Sequence, residues 1–466
     1  MATSPYDVAV VGAGPAGLAA AVAALAGGAR VALIDAGRQP GGQYWRHRPG
    51  DLGAVADLHH DLGTFRGLVA GASGAVRHFG HQVWTVSGSA ADGFVVRSLA
   101  GDAEHELAAR SLVLAPGAYD RQVPFRSWDL PGVYTAGGAQ ALLKGNEVLV
   151  GRRVVVGGTG PFLLPVAAGL AARGARVVGV YEANGPAGWT RHTGAVLPVA
   201  AKLTEGAGYA AALARRRVPF HARRAVVAAH GADVVEAVTV AKLDREWRIV
   251  PGSERVVECD AVAVGWGFTP QLELPLALGV ATRVDADGSL VVEVDEHQRT
   301  SVPGVYVAGE ACGVGGAPLA VVEGEIAGTA AVAAATGSGV APVPSRLRRR
   351  RRALRRFAAA MHAVHPVRDG WQCWLDDDTL VCRCEEVTAG EVRAAVDDLG
   401  ATDPRTAKLL SRAGMGWCQG RVCGYATTCL TASAAGSDTV SALDLQGVSE
   451  RPIAVPISLD RLGGVG

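Results

Sequence analysis

The sequence predicts an α/β protein: two Rossmann-like dinucleotide-binding domains followed by a small, mainly helical C-terminal domain. Two observations carry this. A strand–glycine turn–helix–strand pattern opens the chain and recurs from Arg153. Near the C-terminal end, half of the eight cysteines stand in two tight pairs: Cys382 and Cys384 in VCRCEEVT, and Cys418 and Cys423 in GMGWCQGRVC. The 466 residues leave room for roughly three domains. A composition 49% hydrophobic and 19% charged suits a well-buried globular chain. The formal charge of +1 gives no reason to expect nucleic acid or a membrane surface as partner.

The first unit reads as strand Asp7–Val11, glycine turn, helix Ala16–Ala26 and strand Arg30–Asp35. The apolar run from Val8 to Ala29 is long enough to suggest a membrane span. Gly12, Gly14, Pro15 and Gly17 break it where a strand should turn into a helix, so no transmembrane segment is expected. No signal peptide is recognised, and a cytoplasmic location is expected; reduced thiols there make paired cysteines a metal or redox feature. The second unit reads as strand Val154–Val156, turn GGTGP, helix Phe162–Ala172 and strand Arg176–Tyr181. Strand-like runs at Gln82–Val86, Phe94–Ser98 and Ser111–Ala115 are expected to complete the first domain, and Ala261–Val264 and Val305–Ala308 to return the chain to it. The expected boundaries are 1–145 and 256–336 for the discontinuous first domain and 146–255 for the second. A linker with a basic helix follows at 337–375, then a cysteine domain at 376–435 and a tail at 436–466.

Within the linker, GSGVAPVP (337–344) precedes RLRRRRRALRRF, where Leu347, Leu354, Phe357 and Met361 fall near one face of a helix. A solvated helix docked through that stripe is one reading; contact with an acidic partner subunit is the other.

Gly12-Ala13-Gly14-Pro15-Ala16-Gly17 is a complete GxGxxG between strand and helix. Gly12 permits the turn, Gly14 lets backbone approach a pyrophosphate and Gly17 allows helix–strand packing. The helix N-terminus supplies free N–H groups for phosphate. Asp35, ending the next strand, is placed to accept a bond from a ribose hydroxyl. The second turn, Gly157-Gly158-Thr159-Gly160-Pro161-Phe162-Leu163, is less complete: Leu163 occupies the third glycine position. Glu182 ends its second strand and favours a ribose 2′-hydroxyl over a 2′-phosphate. That site either takes NAD(H) or is a Rossmann shell without cofactor, or with a different flavin nearby.

The CxC and CxxxxC pairs can close a four-sulfur site, and soft thiolates select zinc or iron–sulfur chemistry. Backbone N–H groups of Gly414–Gly424 are available to the sulfurs, and Ala389–Leu399 reads as a helix with Val392, Ala395, Val396 and Leu399 inward. On ligand chemistry alone, a structural zinc site remains an alternative, and two disulfides a weaker one. Cys259 and Cys312 are single and read as small buried residues, while Cys373 and Cys429 are assigned to packing around the cysteine domain. No His, Asp or Ser constellation stands out as a general acid or base, so no catalytic residue is assigned.

GAGPAG, LVLAPGAYDR (112–121) and TSVPGVYVAGEACG (300–313) resemble the glutathione-reductase-like flavoproteins with two dinucleotide-binding domains. That resemblance implies FAD at the first site, held by Gly12, Gly14, Pro15, Ala16, Gly17 and Asp35, with Gly42 and Gln43 of the GGQ stretch, Val83, Gly117, Gly309 and Glu310 as further contacts. Glu310 stands where the family usually has aspartate, and Pro116 where it often has threonine. The chain lacks the cysteine pair that disulfide reductases on this scaffold carry beside the flavin. CRCEEVT, Lys408 and GMGWCQGRVC resemble the bacterioferritin-associated ferredoxin-like domain, with the longer second spacing of its flavoprotein fusions. This implies a [2Fe–2S] cluster on Cys382, Cys384, Cys418 and Cys423. WDLPGVYTAGGAQALLK, VVGGTGPFLLPVA and VGWGFTPQLEL extend the likeness to the α subunits of opine oxidases, hydrogen cyanide synthase and D-hydroxyproline or proline dehydrogenases. The resemblance implies an electron-relaying subunit with a flavoprotein β subunit of the amino-acid-oxidase kind, a small third subunit in some assemblies, and FMN as a candidate at a subunit interface. The alternative is a stand-alone NAD(P)H-dependent FAD/iron–sulfur reductase.

Overall fold

The computed structural model describes residues 5–50, 52–339, 342–437 and 439–458. The first sheet has the order β3-β2-β1-β6-β5-β4, with the strand Val305–Val307 also paired to β6. Its strands are β1 (Tyr6–Val11), β2 (Val31–Asp35), β3 (Val76–Phe79), β4 (Gln82–Ser89), β5 (Gly93–Ala100) and β6 (Ala103–Leu114). β1 runs parallel to β2 and β6, whereas β5 is antiparallel to both β4 and β6. The run expected at Ser111–Ala115 is the buried end of the long strand β6; its first half is polar and exposed, so periodicity catches only the end.

A second, all-parallel sheet takes the order Phe220–Ala222, Arg176–Glu182, Arg153–Gly158, Ala261–Gly265, Val133–Thr135. Two expectations are corrected here. Ala261–Val264 does not return to the first domain but pairs with Arg153–Gly158. The first boundary at 145 is also too late, because Val133–Thr135 and the helix Ala136–Asn146 already belong to the second sheet and its cover. A fully apolar strand carries no signal of which sheet it enters. The crossings lie at Ala118–Asp120 and Phe268–Pro270, and these two segments pair antiparallel to each other. Val305–Val307 does rejoin the first sheet, in register with Leu112–Leu114.

α1 (Pro15–Ala26) packs on the apolar helix Ala317–Ala335 at backbone contact distance. A Cβ on Gly324 would lie 2.0 Å from the Ala16 carbonyl oxygen, and one on Gly328 2.2 Å from that of Ala20. Ala317–Ala335 is, among the described residues, the one helix long and apolar enough to cross a membrane; it is mostly buried, with α1 against it.

The basic helix spans Ser345–Val364 and seats Leu347 and Leu354 on Leu319, Val322 and Ile326. Residues 340 and 341 of the expected linker lie outside the described residues, as do 1–4 and 459–466. The segment expected as a tail is packed: helix Ala442–Ser449 lies on the helices Pro404–Ser411 and Gly424–Ala434. Tryptophans anchor the cysteine domain to the second sheet's unit. Trp247 stacks on Trp374, whose Nε1 donates to the Trp247 carbonyl at 2.8 Å, and Trp128 Nε1 donates to the Leu380 carbonyl at 2.6 Å.

Candidate functional site

The first glycine loop is built so that only glycine fits at two of its positions. Gly12 has φ +103°, and a Cβ there would sit 2.2 Å from the Ala115 carbonyl oxygen. On Gly17 it would sit 1.7 Å from the Gly12 carbonyl oxygen. Gly14, the N-cap of α1, differs: its added Cβ would meet only the Gly42 Cα, at 3.9 Å. Pro15 opens the helix, where its missing N–H costs nothing. The loop 41–42 closes over this turn, with Gly41 N–H donating to the Ala13 carbonyl at 2.8 Å. Asp35 accepts from the N–H groups of Ala13 and Gly37, and burial pushes its carboxyl above the usual range.

Gly309 (φ +81°) reaches the same turn, since its Cβ would lie 3.0 Å from that of Ala16. The structure therefore brings together Gly12 to Gly17, Asp35, Gly42 and Gly309. The other expected contacts are committed to local partners. Gln43 is exposed, with Oε1 accepting from Arg46 Nε at 2.9 Å. Val83 is buried in the core beside β2. Gly117 (φ +86°) faces open space, and its carbonyl accepts from Gln271 N–H at 3.0 Å. Glu310 accepts from Gly316 N–H at 2.8 Å, and burial lifts its carboxyl to about 7. The free N–H groups of α1 and the bare Gly14 backbone fit a dinucleotide pyrophosphate.

Beside Gly309 lies a residue with no signal in the local sequence. Glu323 is fully buried, accepts from Gly309 N–H at 3.3 Å, and pairs with Arg355 at 2.7 Å and Arg351 at 3.4 Å. The basic helix is thus not simply solvated: two of its arginines turn inward. Arg355→Ala is expected to destabilise the chain by about 3 kcal/mol, because it strips the nearer partner from a buried carboxylate. Urea unfolding checks this; Arg351→Ala should cost less.

In the second glycine loop, Gly158 (φ +131°) repeats the role of Gly12, its Cβ position being 1.9 Å from the Gly265 carbonyl oxygen. Leu163 is accommodated because glycine stands opposite it: a Cβ on Gly265 would lie 3.3 Å from Leu163 Cδ2. Glu182 accepts from Thr159 Oγ1 and Gly160 N–H, each at 2.8 Å, and from Asn184 N–H at 3.0 Å. His365 Nδ1 stands 3.5 Å away, and Asn184 Nδ2 donates to the Pro366 carbonyl at 2.9 Å. Trp189 stacks on Phe357 and donates to His365 Nε2. The end of the basic helix therefore roofs the Glu182 end of this loop.

The four cysteines meet as two pairs. Cys382 ends the strand Leu380–Cys382, whose hairpin turns back at Val387–Thr388. Cys423 is the N-cap of the helix Gly424–Ala434. Gly414 N–H donates to the Cys382 sulfur at 3.5 Å, and the neighbouring Cys423 together with this N–H holds the Cys382 thiol below its usual range. Partial burial and the neighbouring Cys418 raise the Cys384 thiol. The two pairs feel each other electrostatically, through Cys382 with Cys384 and Cys418 with Cys423. Glycine is required here too, since a Cβ on Gly416 would lie 2.3 Å from that of Cys384.

Cys382 and Cys423 are buried, whereas Cys384 is exposed and Cys418 half-buried beside Trp417, 82% exposed. Among the described residues no three His, Cys, Asp or Glu side chains are arranged to hold one metal ion. Sulfurs gathered from a hairpin and a helix N-terminus suit the thiolate ligation of an iron–sulfur centre. Cys259 and Cys312 are buried and free, with raised thiols, as expected for packing residues. Cys429 packs in the same core as Cys382 and Cys423, but Cys373 is exposed. Leu399, expected inward, lies beyond the end of helix Ala389–Asp397 and is 61% exposed, because the chain turns at Gly400 (φ +73°).

Residues 6–337 match the pyridine nucleotide-disulphide oxidoreductase family, and residues 380–430 match the BFD-like [2Fe-2S] binding domain. The hydrogen cyanide synthase subunit HcnB of Pseudomonas aeruginosa is 34% identical over 430 residues, spanning 89% of this chain and 90% of that protein. An opine oxidase subunit of Rhizobium meliloti is 34% identical over 483 residues, spanning 98% of each. Among solved structures, the L-proline dehydrogenase from P. horikoshii shares the fold with a TM-score of 0.68, at 21% identity, over 98% of this chain and 79% of that one.

Proposed function

For a chain that belongs to the pyridine nucleotide-disulphide oxidoreductase family, an FAD-dependent oxidoreductase with a BFD-like [2Fe-2S] domain, we propose the role of electron-relaying α subunit in an amine or amino-acid dehydrogenase. The substrate is of the opine, proline or hydroxyproline type, and a partner flavoprotein β subunit of the amino-acid-oxidase kind removes its hydride. One observation carries this reading most: the four cysteines come together as two neighbouring pairs, one buried and one open to the surface. Near-full-length relatives named as subunits support the partner. Gly12, Gly14, Pro15, Ala16, Gly17, Asp35, Gly42 and Gly309 hold FAD in this reading, and Cys382, Cys384, Cys418 and Cys423 hold the cluster.

When bound, these groups supply the exchange between two-electron and one-electron transfer. The chain contributes the phosphate-binding turn, the thiolates and an exposed sulfur edge at Cys384 and Cys418 for a partner to approach. FMN at a subunit interface, a small third subunit and a cytoplasmic location complete the proposal. NAD(H) is disfavoured as electron source by the roof of Trp189, His365 and Pro366 over Glu182. Mixing the purified holo-chain anaerobically with NADH in a stopped-flow instrument tests this. The flavin absorbance is expected to persist, and the chain alone is expected to oxidise no amine. Bleaching by NADH within a turnover time would favour the stand-alone reductase instead.

A further inference from the structure

We propose that Arg451, assisted by Lys408, raises the reduction potential of the cluster by setting uncompensated positive charge against the loop 414–424; this rests on the four cysteines being cluster ligands. Arg451 comes from the segment expected as a tail, and its side chain is only 8% exposed. Its Nη2 donates to the carbonyls of Gln419 and Val448, and its Nη1 to that of Ser449 at 2.8 Å. Gln419 directly follows the ligand Cys418, and a Cβ on Gly420 would lie 3.4 Å from Arg451 Nη2. Arg451 therefore rests on the loop that carries one cysteine of each pair.

The nearby carboxylate does not cancel this charge. Glu273 lies 3.8 Å from Arg451 but 2.7 Å from Arg421, which also donates to Tyr119 Oη at 2.9 Å and to the Cys418 carbonyl at 3.1 Å. Two guanidinium groups thus share one carboxylate. Lys408, half-buried, lines a small cavity with Gly414, Gly420, Cys423 and Thr427, and no carboxylate among the described residues lies within ion-pair distance of it. On the far flank the Arg412–Glu385 pair is balanced. Among the described residues, the inner flank therefore sets Lys408, Arg421 and Arg451 against Glu273.

One-electron reduction adds one negative charge to a four-sulfur centre and moves no bond or proton of the loop. Buried positive charge beside it favours the reduced form, and burial limits screening by salt. Arg451 acts as a positioning residue through the Gln419 carbonyl and as a fixed charge.

An anaerobic redox titration of the holo-chain, followed by electron paramagnetic resonance, tests this. At the wild-type midpoint, Arg451→Gln is expected to lower the ratio of reduced to oxidised cluster about tenfold, equivalent to a shift of about 59 mV for one electron. Arg451→Lys should recover most of that loss, and Glu273→Gln should move the midpoint in the opposite direction. Lys408→Gln, at a half-buried position, should lower it and serves if Arg451→Gln fails to fold. Unmoved midpoints in Arg451→Gln and Lys408→Gln, with wild-type cluster content, would overturn the inference alone. A wild-type chain without iron and sulfide would overturn the cluster reading and this inference with it.

Discussion

Cys382→Ser is expected to strip the chain of iron and acid-labile sulfide while leaving its flavin in place. Cys382 is 1% exposed, lies beside Cys423 and accepts from Gly414 N–H at 3.5 Å, which favours its thiolate. A serine hydroxyl has no comparable anionic form at neutral pH and is a harder ligand. Changing groups that merely orient metal ligands already costs roughly 10–100-fold in affinity, so loss of a buried ligand should cost about a hundredfold or more. Cys384→Ser, at the exposed edge, should retain more iron, since water and small local shifts can compensate there. Iron and sulfide analysis beside the flavin spectrum separates these outcomes; equal retention in both variants would count against the buried pair as the anchor.

Gly17→Val and Gly14→Ala should separate folding from cofactor binding. Gly17 has no space for a side chain, its Cβ position being 1.7 Å from backbone oxygen, so α1 must leave β1. A loss above about 3 kcal/mol is expected, with little folded protein recovered. Gly14 has φ −75° and an open Cβ position, so alanine there should change stability by no more than about 0.5 kcal/mol. It should still weaken FAD binding about tenfold or more, because the methyl group stands where backbone must approach the pyrophosphate. Urea unfolding and fluorescence titration with FAD check the two effects; matching losses of stability would contradict the division of labour.

Both glycine turns, their strands and their helices are legible in the sequence because local chemistry dictates them: a positive φ, a helix start and an apolar strand leave marks within a few residues. The four cysteines are legible for the same reason. Long-range choices are not. Ala261–Gly265 is apolar on every side and reads alike in either sheet, and Val133–Thr135 is too short to announce its partner. Glu323 looks like one of two interchangeable glutamates in an apolar helix until Arg351 and Arg355 arrive from another. Arg451 and Glu273 gain meaning only when the C-terminal segment packs back beside Cys418. Leu163 looks like a defect of the second turn, yet the compensating glycine sits on a distant strand, at Gly265.

The most direct measurement is metal and sulfide analysis of anaerobically purified chain, with its paramagnetic resonance after one-electron reduction. Iron and labile sulfide in equal amounts, about two of each per chain, with a signal that appears on reduction, are expected. Zinc without sulfide, or all eight thiols free in a fully folded chain, would contradict the relay at its centre.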